Sequence, residues 1–188
     1  MSDRAELEIA AAKLALGQMD NDTVRALVRA VNHAAERGRT LGSRLIREQV
    51  KLPAGYVNSR LHVDRKANPK NITAMITGRG RATQLSRFGA RQLTQPAKLP
   101  GKRRLAGVRV EVKPGQQKVL PGAWLMSLKR GHYSSGNVGV VTRTGPGPDD
   151  YRVHYGPSVD QLWRDVREQV APEIDDLLLA EFILQLER

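Results

Sequence analysis

The stretch from Leu105 to Val159 constrains the fold most. It holds short valine-rich runs punctuated by glycine and proline: GVRVEVKPGQQ, VLPGAWLMSLKRG, GNVGVVTRTGPGPDD and YRVHYGPSV. Apolar runs bounded by turn residues read as strands. From Gly107 to Lys113 the alternation is strict, with Val108, Val110 and Val112 on one side and Arg109, Glu111 and Lys113 on the other. A period of two with one charged face predicts an antiparallel strand that is wet on one side. Lys113-Pro114-Gly115 ends it in a turn. Val119 to Leu128 predicts a second strand, opened at an edge or bulge by Pro121-Gly122. Val138 to Thr144 predicts a third and Tyr151 to Tyr155 a short fourth. Lys70 to Thr77 alternates enough to add a strand earlier in the chain.

Helices flank this sheet. Asp20-Asn21-Asp22 offers an N-cap. Beyond it Val24, Leu27, Val28, Val31, Ala34, Ala35, Gly38, Leu41, Leu45 and Ile46 recur at steps of three and four. That stripe predicts one long amphipathic helix with its arginines on the other faces. A shorter helix is expected over residues 4–19. At the far end Ser158 and Gln161 have the spacing of a capping box. Leu162, Trp163, Val166 and Val170 then form an apolar face, and Pro172 should kink or restart the helix. Ile174, Leu177, Leu178, Phe182, Ile183 and Leu186 continue a face wider than one docking stripe needs. Either the sheet or another subunit covers it.

The expected fold is α+β: an antiparallel sheet of about four to five strands packed against a long N-terminal helix and a C-terminal helix, with a long basic loop. A chain of 188 residues fits one domain, burying roughly 70% of its unfolded surface. Within it we expect an N-terminal helical extension at 1–21, the long helix at 22–52, the sheet at 70–155 and the last helix at 156–188. With aromatics at only 4%, the core must be aliphatic.

Charge narrows the partners. Residues 1–21 carry 2 basic and 4 acidic groups, residues 22–143 carry 25 and 5, and residues 144–188 carry 4 and 10. The basic body can face phosphate, or the acidic end of one copy can meet the basic body of another. The most basic stretch is 78–104, with Arg79, Arg81, Arg87, Arg91, Lys98, Lys102, Arg103 and Arg104 and no acid. With four glycines and two prolines, it reads as a mobile basic arm, a candidate contact for DNA or a channel wall.

Other classes find little support. There are no cysteines, which excludes disulfides and thiolate metal sites. No apolar run reaches the ~20 residues of a membrane span, and the N-terminus makes a poor secretion signal, so a reducing cytoplasm is the expected place of synthesis. His33, His62, His132 and His154 lack metal-ligand spacing, and Ser134 and Ser135 have no evident histidine–acid pair. No phosphate-loop motif is present. We read no catalytic residue, no metal and no cofactor.

Four segments in order, NHAAERGRTLGSRLIREQVKLPAGYV, ITGRGRATQLSRFGA, GVRVEVKPGQQKVLPGAWLMSLKRG and YRVHYGPSV, resemble the minor tail protein Z family of lambda-like tailed phages over roughly residues 22–165. The resemblance implies a structural virion protein, not an enzyme, acting at the head-proximal end of a long non-contractile tail, where the tail is finished, joins the head and passes DNA. The matching residues look like fold determinants: Pro53-Ala54-Gly55, Pro121-Gly122-Ala123-Trp124 and Tyr155-Gly156-Pro157-Ser158-Val159. It further implies a homo-oligomer, such as a hexameric ring, with the tail terminator and head–tail connector as neighbours and no membrane partner. Rings need unlike faces that meet head to tail, and the acidic last segment supplies one through Asp175, Asp176, Glu181 and Phe182. The alternative is a non-enzymatic DNA-binding protein using the 78–104 arm. Against it stand the missing recognition helix and the shortage of aromatics for stacking.

Overall fold

The computed structural model describes residues 20–98, 101–128 and 137–187. The elements are α1 (Asn21–Gln49), α2 (Ala54–Asn58), β1 (Leu61–Arg65), β2 (Met75–Gly78), β3 (Thr83–Gln84), β4 (Arg91–Pro96), β5 (Arg103–Val110), β6 (Lys118–Leu120), β7 (Ala123–Ser127), β8 (Val138–Arg143), β9 (Tyr151–Gly156) and α3 (Val159–Leu186). The class is α+β, as the patterning predicts. The strands form three sheets rather than one: β1-β2, β3-β9-β8-β7 and β4-β5-β6. Contacts gather into two compact units, one of Met1–Thr40, Val63–Ile76 and Glu168–Arg188, the other of Leu41–His62 and Thr77–Arg167. The helix expected over residues 4–19 lies outside the described residues.

In the first unit, α1 turns a stripe of small residues inward: Ala26, Ala30, Ala34 and Ala35 are buried. Gly38 continues it, and a β-carbon there would occupy the place of the Ile174 side chain on α3. Small residues let two helices approach closely, so the alanines set the spacing rather than the packed volume. Asp20 caps α1, with the Thr23 N–H donating to its Oδ1 at 3.1 Å. The Thr23 side chain first, and then this N–H, hold the Asp20 carboxyl below its usual range. The Asn32 side chain clasps the backbone of Ala67, donating to its carbonyl at 3.0 Å and accepting from its N–H at 2.8 Å.

The second unit holds the larger core. Phe88, Ile46, Leu61, Val57, Val108, Val140, Val141, Val159 and Val166 are fully buried. The Gln92 side chain links the two larger sheets: it donates to the Gly107 carbonyl of β5 at 2.8 Å and accepts from the Leu125 N–H of β7 at 2.9 Å. Pairing of β4 with β5 shifts register between Leu93 and Thr94, opposite Gly107, whose φ is +115°. A β-carbon at Gly107 would sit 2.6 Å from the Leu120 carbonyl oxygen, so this bulge requires glycine. The capping box of α3 is present as predicted: Ser158 N–H donates to Gln161 Oε1 at 2.9 Å, and Gln161 N–H donates to Ser158 Oγ at 3.1 Å.

Five expectations need correction. The strand expected over 107–113 instead runs Arg103–Val110. Beyond it the chain bonds elsewhere, with Glu111 N–H donating to Phe88 O at 2.9 Å and Lys51 N–H to Val112 O at 2.8 Å. The strand expected over 119–128 is two, β6 and β7, in different sheets, because Pro121-Gly122 makes a full turn with Gly122 at φ +70°. Of the strand expected over 70–77, only the end enters β2; Asn68 Oδ1 accepts from Lys70 N–H and Asn71 N–H, so side-chain turn bonds win there. The stretch 78–104 is not one loop, since it contains β3, a 3-10 turn at Leu85–Arg87, β4 and the start of β5. Helix α3 does not restart at Pro172, which lies inside it with its ring exposed; the flanking turns hold the helix despite one missing donor.

Candidate functional site

The basic residues singled out in sequence divide among several places. Arg79 works through its backbone, its N–H donating to Arg60 O at 2.8 Å while its carbonyl accepts from Asp160 N–H at 3.3 Å. Arg91 stands directly opposite Arg109 in the β4–β5 ladder, a like-charge pair that costs a few tenths of a kcal/mol to about 1 kcal/mol. Beside it Lys51 Nζ donates to Glu111 Oε2 at 2.6 Å. Lys98, Lys102, Arg103 and Arg104 are exposed around the β4–β5 connection, with Ala97 N–H donating to Lys102 O at 2.9 Å.

Arg81 and Arg87 instead meet two residues that sequence reasoning missed, Tyr56 and Arg60. The guanidinium carbon of Arg87 lies 4.7 Å from the Tyr56 ring centroid and that of Arg60 lies 5.2 Å from it. Both distances are those of cation–π contacts. These residues line a cavity of about 80 Å³ together with Gln84, Asn137 and Tyr155. Tyr56 is held in place by its hydroxyl, 3.4 Å from the Oγ1 of Thr83, a fully buried residue. Tyr155 is 52% exposed. Among the described residues, none of Arg60, Arg81 and Arg87 has a carboxylate partner, whereas Arg25, Arg39, Arg44 and Arg164 each do. The signal that could have found this site is the i, i+4 spacing of Tyr56 and Arg60 around α2, which puts ring and guanidinium on one side of a helical turn.

The acidic candidates lie on α3. Asp175 and Asp176 are exposed. Glu181 is engaged within its own unit: its Oε2 lies 3.2 Å from His33 Nδ1 and its Oε1 accepts from Gln185 Nε2 at 2.8 Å. Phe182 is half-buried, and Leu179, Ile183, Leu184 and Leu186 are exposed. The residues that the resemblance marks as fold determinants lie at turns, strand ends and a helix cap. Pro121 and Gly122 turn the chain from β6 to β7, and Trp124 lies under the Arg143 guanidinium at 5.5 Å. Tyr155 and Gly156 end β9 opposite Gln84 and Thr83. Pro157 leads into the Ser158 cap.

Among the described residues no group of three histidines, cysteines or carboxylates could hold a metal ion, and no helix is long and apolar enough to cross a membrane. The site gathers guanidinium and aromatic groups on an α+β fold, with exposed aliphatic side chains on α3. A comparison with protein families makes this particular: residues 8–187 match prophage minor tail protein Z. The chain belongs to that family, and is a structural component of a phage tail. No curated protein and no solved structure matches it.

Proposed function

We propose that this chain completes the head-proximal end of a long non-contractile tail, so that the tail joins the head and DNA can pass. Family membership supplies the tail; the distribution of charge favours an assembly role at a junction. Assigned to the two units of the fold, the 31 basic and 19 acidic residues separate sharply. The first unit carries 10 basic and 13 acidic residues, a net of −3, and the second 21 and 6, a net of +15. One chain therefore presents two chemically unlike surfaces, the requirement for head-to-tail contacts that close into a ring. In this reading the exposed Asp175–Asp176 face of one copy meets arginines of the next, flanked by the aliphatic surface around Leu179 and Ile183. A tail terminator and a head–tail connector would be its neighbours.

The experiment is electron microscopy of lysates from a phage lacking this gene, paired with infectivity. The expected result is complete-looking tails that fail to join heads, or joined particles that do not infect. Normal, infectious particles would overturn the proposal.

A further inference from the structure

We propose that the cavity formed by Tyr56, Arg60, Arg81 and Arg87 binds a backbone phosphate of DNA. This goes beyond the assembly role and does not depend on where in the tail the chain sits. The first support is electrostatic. Distances of 4.7 and 5.2 Å to one ring centroid place two guanidinium carbons within ~10 Å of each other, about one Debye length at 0.1 M salt. Arg81 adds a third cation to the same wall. Three arginines gathered with no carboxylate partner among the described residues repel one another, and an anion seated among them would relieve that repulsion.

The site is also built rather than incidental. Arg60 follows α2, with its N–H donating to Val57 O at 2.9 Å and its carbonyl held by Arg79 N–H. Arg87 closes the 3-10 turn at Leu85–Arg87, immediately before the fully buried Phe88. Thr83 pairs with Gly156 and Gln84 with Tyr155, so two of the lining residues, Gln84 and Tyr155, belong to a sheet. Gln84 and Asn137 bring side-chain amides that can donate to oxyanion oxygens.

Size and stoichiometry then select the occupant. A cavity of about 80 Å³ falls far below the ~300–1,000 Å³ of sites that enclose whole small molecules. It suits one group projecting from a larger body. A single protein carboxylate would satisfy one guanidinium bidentately and leave two cations unpaired. A nucleic-acid strand seats one phosphate in the cavity and brings its neighbours, one per ~3.4 Å of axis on each strand, against the basic surface around it. The half-exposed Tyr155 ring adds a face against which sugar or base can rest. The net +15 of this unit supplies the long-range attraction.

The test measures binding of a labelled 30-mer duplex and its single strand to the purified full chain by fluorescence anisotropy, across a salt series. Wild type is compared with Arg60→Gln/Arg87→Gln and with a charge-matched control at two exposed arginines outside the cavity, Arg152→Gln/Arg167→Gln. Removing two of the guanidiniums around the seated phosphate should weaken binding by on the order of tenfold or more and flatten the log–log salt slope by about 0.9, the share of one phosphate. The control should change both far less. Equal losses in the two variants would mean diffuse attraction and overturn the proposal, as would undiminished binding by the pocket variant. Calorimetry with inorganic phosphate, and with a peptide of residues 168–187, distinguishes the other sources. If the pocket substitutions abolish binding of either while leaving DNA affinity intact, the occupant is free phosphate or a protein carboxylate, and the DNA assignment falls. None of these outcomes bears on the head–tail phenotype.

Discussion

Replacing Gly156 with alanine tests the packing of the larger core. Gly156 ends β9 and has no left-handed backbone requirement, so only space opposes a side chain there. A β-carbon would lie 2.5 Å from Cε2 of Phe88, 2.9 Å from Cζ and 3.3 Å from Cδ2. Carbon atoms rest at ~3.5–4.0 Å, so the ring must retreat by about 1 Å. It has nowhere to go, because Phe88 is fully buried. Overpacking of this kind costs ~1–3 kcal/mol. The loss of unfolded-state freedom on replacing glycine returns ~0.4–1 kcal/mol, and a net destabilisation of about 1–2 kcal/mol remains.

The same geometry predicts a rescue. Phe88→Leu removes Cε2 and Cζ, the two atoms that the new methyl would strike, and by itself costs ~2 kcal/mol for the lost apolar carbons. In the double variant the clash is gone, so the combined cost should fall below the sum by at least ~1 kcal/mol, above the ~0.5 kcal/mol scatter of independent sites. Urea unfolding followed by tryptophan fluorescence is the assay, since Trp124 and Trp163 both belong to the unit that contains the substitutions. Strict additivity would refute the steric account and show that the fold relaxes around Gly156 by another route.

Three further outcomes follow from local geometry. Ser158→Ala breaks the reciprocal cap at α3 and should cost ~1 kcal/mol, read from the same urea midpoint; Ser158→Asp should restore most of it. The Glu111 carboxyl is held below its usual value by the hydrogen bond from Lys51 and then by the Gly115 N–H. A depressed carboxylate contributes stability that is complete above the unfolded value of 4.5 and disappears as pH falls through the lower folded value. Wild type should therefore exceed Lys51→Met in stability at neutral pH, and their urea midpoints should converge as pH drops below 4.5; a constant gap would refute the pairing. Asp175→Lys/Asp176→Lys should lower the oligomer fraction in sedimentation while leaving the urea midpoint within ~0.5 kcal/mol, as expected of exposed positions. Glu181 is a poor choice for that experiment because its reversal also removes the contacts to His33 and Gln185.

The long elements were legible because their signals are redundant. The α1 stripe from Val24 to Ile46 gives the helix its length, but only Ala34, Ala35, Gly38 and Ile46 of it are buried; Val24, Leu27, Val28, Val31, Leu41 and Leu45 are half-buried, and the closest packing also takes in Ala26 and Ala30, which the stripe leaves out. The α3 cap was readable from Ser158 and Gln161 alone, since its chemistry is local. Failures came where pairing, not composition, decides. Arg91–Pro96 is polar and ends in proline, yet it finds a partner in β5, and one paired side suffices to make a strand at a sheet edge. In sequence Pro121-Gly122 looks like a disturbance within one strand, but a turn residue at φ +70° sends the flanking segments into separate sheets. The Tyr56 cavity is only partly legible, for a third reason. Its cations come from the turn after α2, the segment before β3 and the 3-10 turn before Phe88; the spacing of Tyr56 and Arg60 reports one contact, and no linear pattern reports that Arg87 shares the ring.

The charge pattern shows most clearly what folding adds. In sequence order, the acidic excess lies at the two ends and the basic excess in the middle, which invites the picture of a basic arm projecting from a neutral body. The fold distributes those charges differently. Arg25, Arg39 and Lys66 of the first unit have nearby carboxylates on Asp22 and Glu36, and that unit ends with a net of −3. The cations of 78–104 are fixed on strands and turns of the second unit, where acids are few. A flexible arm would adapt to any polyanion at an entropic cost. Guanidiniums held by a ring, a helix end and a paired strand give up that adaptability for position, and position is needed where subunits must meet in one register. Replacing the turn residues that hold them should therefore impair binding even with every charge retained. Phe88→Leu, which preserves charge but loosens the support beneath Arg87, provides that comparison within the anisotropy assay.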